Sequence, residues 1–126
     1  MSKRSTRQKR AIHRVIGDAP GPLSARDIQL EASKICPNVS LATVYRVVRS
    51  GADSGALAVV RLEDNVARYE VADRKHHHHF LCNCCARVFD ILLPCNLVAD
   101  FSLDDFQVTR HEITLYGNCP DCATAG

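Results

Sequence analysis

His76-His77-His78-His79-Phe80-Leu81-Cys82-Asn83-Cys84-Cys85 packs four imidazoles and three thiols into ten residues. Histidine and cysteine are the usual donors for zinc and other first-row metals, and a Cys-x-x-Cys spacing lets two thiolates from one tight turn reach the same ion. Cys82 and Cys85 have that spacing, and so do Cys119 and Cys122 near the C-terminus. Two such pairs together supply the four thiolates of a closed tetrahedral zinc site. A histidine run raises the question of an expression tag. This one is internal, only four residues long, and leads straight into the first cysteine pair. In an extended segment its side chains alternate between two sides, so His76 with His78 and His77 with His79 are placed to feed two separate sites.

Outward from that stretch the charge changes sign. Residues 1–50 carry ten Lys/Arg against three Asp/Glu, a balance of +7, whereas residues 51–126 carry six against eleven, a balance of −5. The acidic half also holds five of the six histidines and six of the seven cysteines, which suits cations, and the basic half suits a polyanion such as DNA. A length of 126 residues allows one ordinary domain or two small ones, and a hydrophobic fraction of 46% supports a core. No apolar run approaches the ~20 residues of a membrane span, so no membrane partner is expected. The charged start Met1–Arg10 leads into no apolar segment with a small-residue cleavage site, and a cytoplasmic protein is expected. An odd number of cysteines, four of them in matched pairs, then argues for metal binding over a disulfide framework.

In the basic half, residues 6–17 read as a helix with Ile12, Val15 and Ile16 on one side, stopped by Asp18-Ala-Pro-Gly-Pro22. Ser24, with Asp27 three residues on, opens a second helix whose apolar positions are Ile28, Ala32 and Ile35, and Cys36-Pro37-Asn38 ends it. Ser40 caps a third, in which Leu41, Val44 and Val48 form the apolar stripe while Thr43, Tyr45, Arg46 and Arg49 occupy other faces. Two helices joined by a short turn, the second presenting Thr, Tyr and Arg, have the layout of a helix-turn-helix. Gly51 and Gly55 loosen the chain, and two β-like runs, 57–62 and 67–71, split by Glu63-Asp64-Asn65, make the hairpin wing of a winged-helix domain. After a linker at Asp73–Lys75 the pattern predicts a strand into the Cys82 turn, a strand at 88–92, a helix started by Pro94, and a strand at 107–116 with His111, Ile113 and Leu115 on one face. The fold class is α+β: an N-terminal winged helix-turn-helix domain over residues 1–73, followed by a small α/β domain over residues 74–126.

These residues carry a family resemblance. The Thr6-Arg-Gln-Lys-Arg10 helix start, Ser40-Leu-Ala-Thr-Val-Tyr-Arg46, Ala67-Arg-Tyr-Glu70, the histidine run into Cys82-x-x-Cys85, Arg110-His111, and Leu115-Tyr-Gly-Asn-Cys-Pro-Asp-Cys122 follow one another in the order found in the ferric uptake regulator family, which the chain resembles over nearly its whole length. The resemblance implies a homodimeric, metal-sensing transcription regulator, with the C-terminal domain as dimerisation domain. It implies structural zinc on Cys82, Cys85, Cys119 and Cys122. Glu70, His77, His79 and Asp90 stand where the family places sensing-metal ligands, and His76, His78 and His111 where it places a further site. Two departures bear on the sensing site: Pro22 holds the place of a further histidine, and Leu97 stands near an expected carboxylate, for which Asp100 would substitute only if that helix is shifted.

On this reading Tyr45 and Arg46 contact bases and Thr43 and Arg49 the DNA backbone. Lys3, Arg4, Arg7, Lys9 and Arg10 add phosphate or minor-groove contacts. The expected partners are double-stranded DNA, as an AT-rich inverted repeat, and a second copy of the chain, with no small-molecule substrate. The expected cofactors are structural Zn(2+) and a second divalent ion, Fe(2+), Mn(2+) or Zn(2+). A peroxide-sensing regulator of the same fold is the alternative. A metal buffer would have no use for the basic helix-turn-helix. A zinc enzyme is not expected: the His-x-Glu and Pro-Cys-x-x-Cys pair of the nucleobase deaminases is absent, and His111-Glu112 is adjacent rather than spaced. Cys36, Cys84 and Cys95 read as bystanders.

Overall fold

A computed structural model describes residues 3–73, 75–92 and 105–125. The chain divides into two compact units, Met1–Arg74 and Lys75–Gly126.

The N-terminal unit begins with helix α1 (Lys3–Asp18), which buries Gln8, Ala11, Ile12, Val15 and Ile16, one stripe at three- and four-residue spacing. A two-residue strand β1 (Leu23–Ser24) leads into α2 (Ala25–Ile35). Both halves of the capping box form: Asp27 N–H donates to Ser24 Oγ at 3.2 Å, and Ser24 N–H donates to Asp27 Oδ2 at 3.3 Å. Such a cap contributes about 1 kcal/mol and fixes where the helix starts. The turn after α2 places Asn38 at φ 72, a conformation asparagine tolerates. Gln29 Nε2 donates to the Val39 carbonyl across it, at 3.3 Å.

Helix α3 (Leu41–Ser54), capped by Ser40, runs through Gly51 where the sequence suggests a loosened chain. The reason is a close approach: a Cβ on residue 51 would lie 2.6 Å from Leu57 Cδ1, so only glycine lets Leu57 pack onto the helix there. Gly55, at φ 84, then takes the left-handed cap. Strands β2 (Leu57–Arg61) and β3 (Ala67–Val71) pair antiparallel from Leu57↔Val71 to Arg61↔Ala67, and β1 pairs with the other edge of β3, giving the order β1-β3-β2. The helices and Leu57 close one apolar cluster in which Ile12, Ile28, Ala32 and Val44 have no exposed surface.

One ion pair pins the hairpin. Arg68 Nη1 and Nη2 donate to Asp64 Oδ1 and Oδ2 at 3.0 and 2.7 Å, the forked geometry that matches a guanidinium to a carboxylate. The Arg68 side chain is 3% exposed.

The C-terminal unit is built on β4 (His78–Cys82), flanked by β5 (Val88–Ile91), antiparallel, and β6 (Thr114–Gly117), parallel. A short helix α4 (Pro120–Ala125) follows. The strand expected over 107–116 is regular only from Thr114. β4 begins at His78, so the chain before Thr114 has little strand to ladder against, and it is joined to β4 by His79 N–H donating to the Ile113 carbonyl at 3.1 Å. The helix expected at Pro94, with Cys95, Leu97 and Asp100, lies outside the described residues.

Candidate functional site

The first Cys-x-x-Cys pair closes the turn after β4, and the second spans the junction of β6 and α4. These two reversals carry the thiols to one place: the sulfurs of Cys82, Cys85, Cys119 and Cys122 all lie within 4.8 Å of one another. Cys85 Sγ and Cys119 Sγ are 3.9 Å apart. A tetrahedral zinc with bonds of ~2.3 Å has its sulfurs about 3.8 Å apart, so the cluster already has the dimensions of the ion. Cys82 Sγ accepts the backbone N–H groups of Cys119 at 3.4 Å and of Cys85 at 3.5 Å. Those two amides draw the Cys82 thiol down to about 6, so a thiolate is favoured there at neutral pH. Cys122 is pushed the other way, first by contact with the Cys84 thiol and then with Cys119 and Cys82. Four sulfurs at this spacing, one of them already favoured as a thiolate, are a donor set that fits zinc.

A second cluster uses the alternation of the strand instead of a turn. His77 precedes β4 and His79 lies on it; their rings are 4.9 Å apart and both face Asp90, which is paired with His79 across the β4–β5 ladder. Asp90 Oδ1 is 3.6 Å from His77 Nε2 and 3.7 Å from His79 Nε2. His77 Nδ1 lies 2.8 Å from the Lys75 carbonyl. A carbonyl can only accept, so Nδ1 carries the hydrogen, and in the neutral form of the ring the lone pair is then on Nε2, on the carboxylate side. This is the outer hydrogen bond that prepares a histidine as a metal ligand. Two imidazole nitrogens and a carboxylate oxygen facing one point make a hard-to-borderline donor set, suited to Mn(2+), Fe(2+) or Zn(2+). Glu70 is buried on β3 of the other unit. Pro22, buried before β1, offers no donor atom.

The third group, His76, His78 and His111, also converges, with His76 Nε2 and His111 Nε2 3.1 Å apart. His78 differs from its neighbours. Its Nδ1 accepts the Ile113 N–H at 3.2 Å, which leaves the hydrogen of the neutral ring on Nε2, and that buried nitrogen has no hydrogen-bond partner among the described residues. Burial first, then the surrounding His76, His111, His77 and His79, hold its pKa below the usual histidine value. His78 thus ties β4 to the chain ahead of β6 as well as standing within reach of the His76 and His111 rings.

In the N-terminal unit the sequence-derived contact residues sit mostly in solvent. Arg7, Lys9 and Arg10 are exposed on α1, and Tyr45, Arg46 and Arg49 are exposed on α3. Thr43 is the exception. Its hydroxyl receives a bond from Ser40 Oγ at 2.9 Å and from Arg46 Nη2 at 3.0 Å, so it holds the arginine instead of standing free for a backbone contact. Tyr69, which the sequence did not single out, lines a cleft with Tyr45, Arg46 and Arg49. Period-two alternation gives its face of the hairpin but not that α3 lies against it. Cys36 packs half-buried against the apolar cluster, and Cys84 is exposed in the turn beside the four-sulfur group.

The peroxide-responsive repressor PerR of Staphylococcus aureus (strain USA300) is 30% identical to this chain over 122 residues, an alignment that covers 94% of this chain and 82% of the relative. Among solved structures, a zinc-bound manganese uptake regulator matches with a TM-score of 0.78 at 25% identity, over 94% of this chain and 89% of that one. FurB from M. tuberculosis, a zinc uptake regulator, is 27% identical with a TM-score of 0.53, over 94% and 95% of the two chains. The model of the ferric uptake regulator family matches residues 1–116, and the chain belongs to that family.

Proposed function

We propose that this chain is a metal-responsive, DNA-binding transcriptional regulator, a repressor of metal-homeostasis genes rather than an enzyme, acting as a homodimer. The observation that carries the reading is the coexistence, on one strand of the C-terminal unit, of a closed four-sulfur group and an open nitrogen–oxygen group of different chemistry. Cys82, Cys85, Cys119 and Cys122 would hold structural zinc and have no free position for a substrate. His77, His79 and Asp90 would hold the sensed ion, Fe(2+), Mn(2+) or Zn(2+). Glu70 joins this proposal through its position in the family pattern, and His76 and His111, with His78, remain a further site on the same basis.

The N-terminal unit supplies the other half of the reading. Its three helices and β1-β3-β2 sheet support a winged-helix assignment, with α3 as the recognition helix and the β2–β3 hairpin as the wing. Arg46, held by Thr43, would fork onto a guanine, and the exposed cations of α1 would neutralise phosphates. When bound, the ion supplies the positive charge that lets imidazole and carboxylate donors share one point. Occupancy of the sensing group would then have to favour one arrangement of the recognition helices, which is the differential binding a population shift requires. The peroxide-responsive relatives support a second reading, in which an iron-loaded sensing site responds to peroxide.

The test is duplex binding by protein of confirmed zinc content, with the second metal added and then removed by a weak chelator. The expected result is a gain of at least about tenfold in affinity on addition, reversed on removal while the zinc stays. Equal affinity in both conditions would contradict the reading.

A further inference from the structure

The cleft lined by Tyr45, Arg46, Arg49 and Tyr69 has a volume of about 380 Å³. One wall is α3, where positions 45, 46 and 49 come together at helical spacing. The other is the central strand of the sheet. Tyr69 lies in one row with Leu23 and Val59 and on the same face as Leu57 and Val71, the face turned to the helices. The hairpin therefore brings a phenol to the side of the recognition helix that carries two arginines.

The lining has an unusual balance. Among the described residues it holds two guanidiniums and two phenols and no carboxylate. Among the described residues the side chains of Tyr45, Arg49 and Tyr69 have no hydrogen-bond or ion-pair partner, and Arg46 is bonded only to the neutral Thr43 hydroxyl. Arginine does not shed its proton, so two like charges face one cleft with no carboxylate among the described residues of its lining to offset them. Each wall contributes residues that carry hydrogen-bond donors. A base edge presents donors and acceptors together, whereas a phosphate presents acceptors alone, and a guanidinium fork with a phenol O–H matches the oxygens of one phosphodiester. We infer that this cleft seats a phosphodiester of the DNA backbone, with Arg49 from the helix and Tyr69 from the hairpin on the same group. The inference rests on the reading of α3 as the helix that faces DNA, and it adds a contact residue, Tyr69, on the wing side.

The experiment uses the full chain, with its zinc and with Mn(2+) added, and measures anisotropy on a specific and an unrelated duplex over a range of salt. Tyr69→Phe removes only the hydroxyl; it is expected to weaken both duplexes alike, by about five- to tenfold, with an unchanged salt slope because no charge is lost. Arg49→Gln, on an exposed position that does not disturb the core, should weaken both and lower the salt slope by about one phosphate. In the Arg49→Gln background, Tyr69→Phe should cost less than about twofold, since both donors hold the same group. Tyr69→Phe protein that binds both duplexes like the wild type, loses affinity for the specific duplex alone, or adds its full effect to Arg49→Gln overturns the inference. Wild-type protein that binds no duplex would overturn the regulator reading and this inference together, which separates the two failures.

Discussion

The N-terminal unit gathers Ala11, Ile12, Val15, Ile16, Ala25, Ile28, Ala32, Val39, Val44, Val48 and Leu57 into one buried apolar cluster. In the C-terminal unit the buried hydrophobic residues among those described are Leu81, Cys82, Val88 and Cys119, and two of these four are cysteines of the four-sulfur group. The first unit has a core of the ordinary kind, in which each fully buried aliphatic side chain contributes about 1.5–3 kcal/mol. The second is of a size at which apolar burial alone rarely suffices and a staple is needed. The contrast teaches where metal matters for folding. One end of β4 is tied into a site whose loss should cost the unit its structure, while the other end presents His77 and His79 to Asp90 in a group that, on the proposed function, would fill and empty on a folded scaffold.

Breaking that contrast at its strongest point means removing a sulfur. Structural zinc contributes on the order of 10 kcal/mol to small sites of this kind. Cys82→Ser or Cys122→Ser should therefore abolish zinc binding and unfold residues 75–126, while the N-terminal unit keeps its helical signal. Zinc analysis and circular dichroism of each variant would check this. A zinc-replete variant with wild-type spectrum would show that the four sulfurs are not the staple.

A smaller effect should appear on the other side of the comparison, where metal plays no part. Arg68 first, by its forked hydrogen bonds, and then the Val66 N–H, hold the Asp64 carboxyl below its ordinary value of 3.8, against an opposing effect of burial. A carboxyl whose folded value is depressed takes up its proton more readily when unfolded. Its contribution is thus complete above about pH 4 and is lost as pH falls through the lower folded value. Asp64→Asn should cost the N-terminal unit about 1–3 kcal/mol at neutral pH and flatten its loss of stability in acid, with zinc content unchanged. Urea unfolding followed by helical signal at several pH values would measure it; an unchanged acid limb would remove the ion pair from the account.

Legibility followed locality. The four-sulfur group could be read because each pair sits three residues apart in its own turn, and the helices because Ser24 and Ser40 cap apolar stripes of helical period. Asp90 entered through the family pattern, and its reason became visible only in the register that sets it opposite His79. Gly51 was misleading, since a glycine read as a breaker proved to be a packing position for Leu57. The strand expected over 107–116 failed in its first half because alternation describes a face and says nothing about whether a partner strand extends alongside. Thr43 and Tyr69 were missed as a positioning group and a cleft wall for a related reason: each acts on a side chain that folding brings near. The hydrogen on His78 Nε2 depends on the Ile113 amide, 35 residues away.

The four-sulfur group and the His77–His79–Asp90 group lie toward opposite ends of β4, and one variant tests directly whether they act separately. His77→Ala with His79→Ala, purified with its zinc, should keep one zinc per chain, the wild-type circular dichroism and the wild-type mass of the assembly. Added Mn(2+) or Fe(2+) should then leave its affinity for a specific duplex unchanged, whereas the wild type gains at least about tenfold. A full metal response from the double variant would place the sensing site elsewhere in the chain and contradict the central claim.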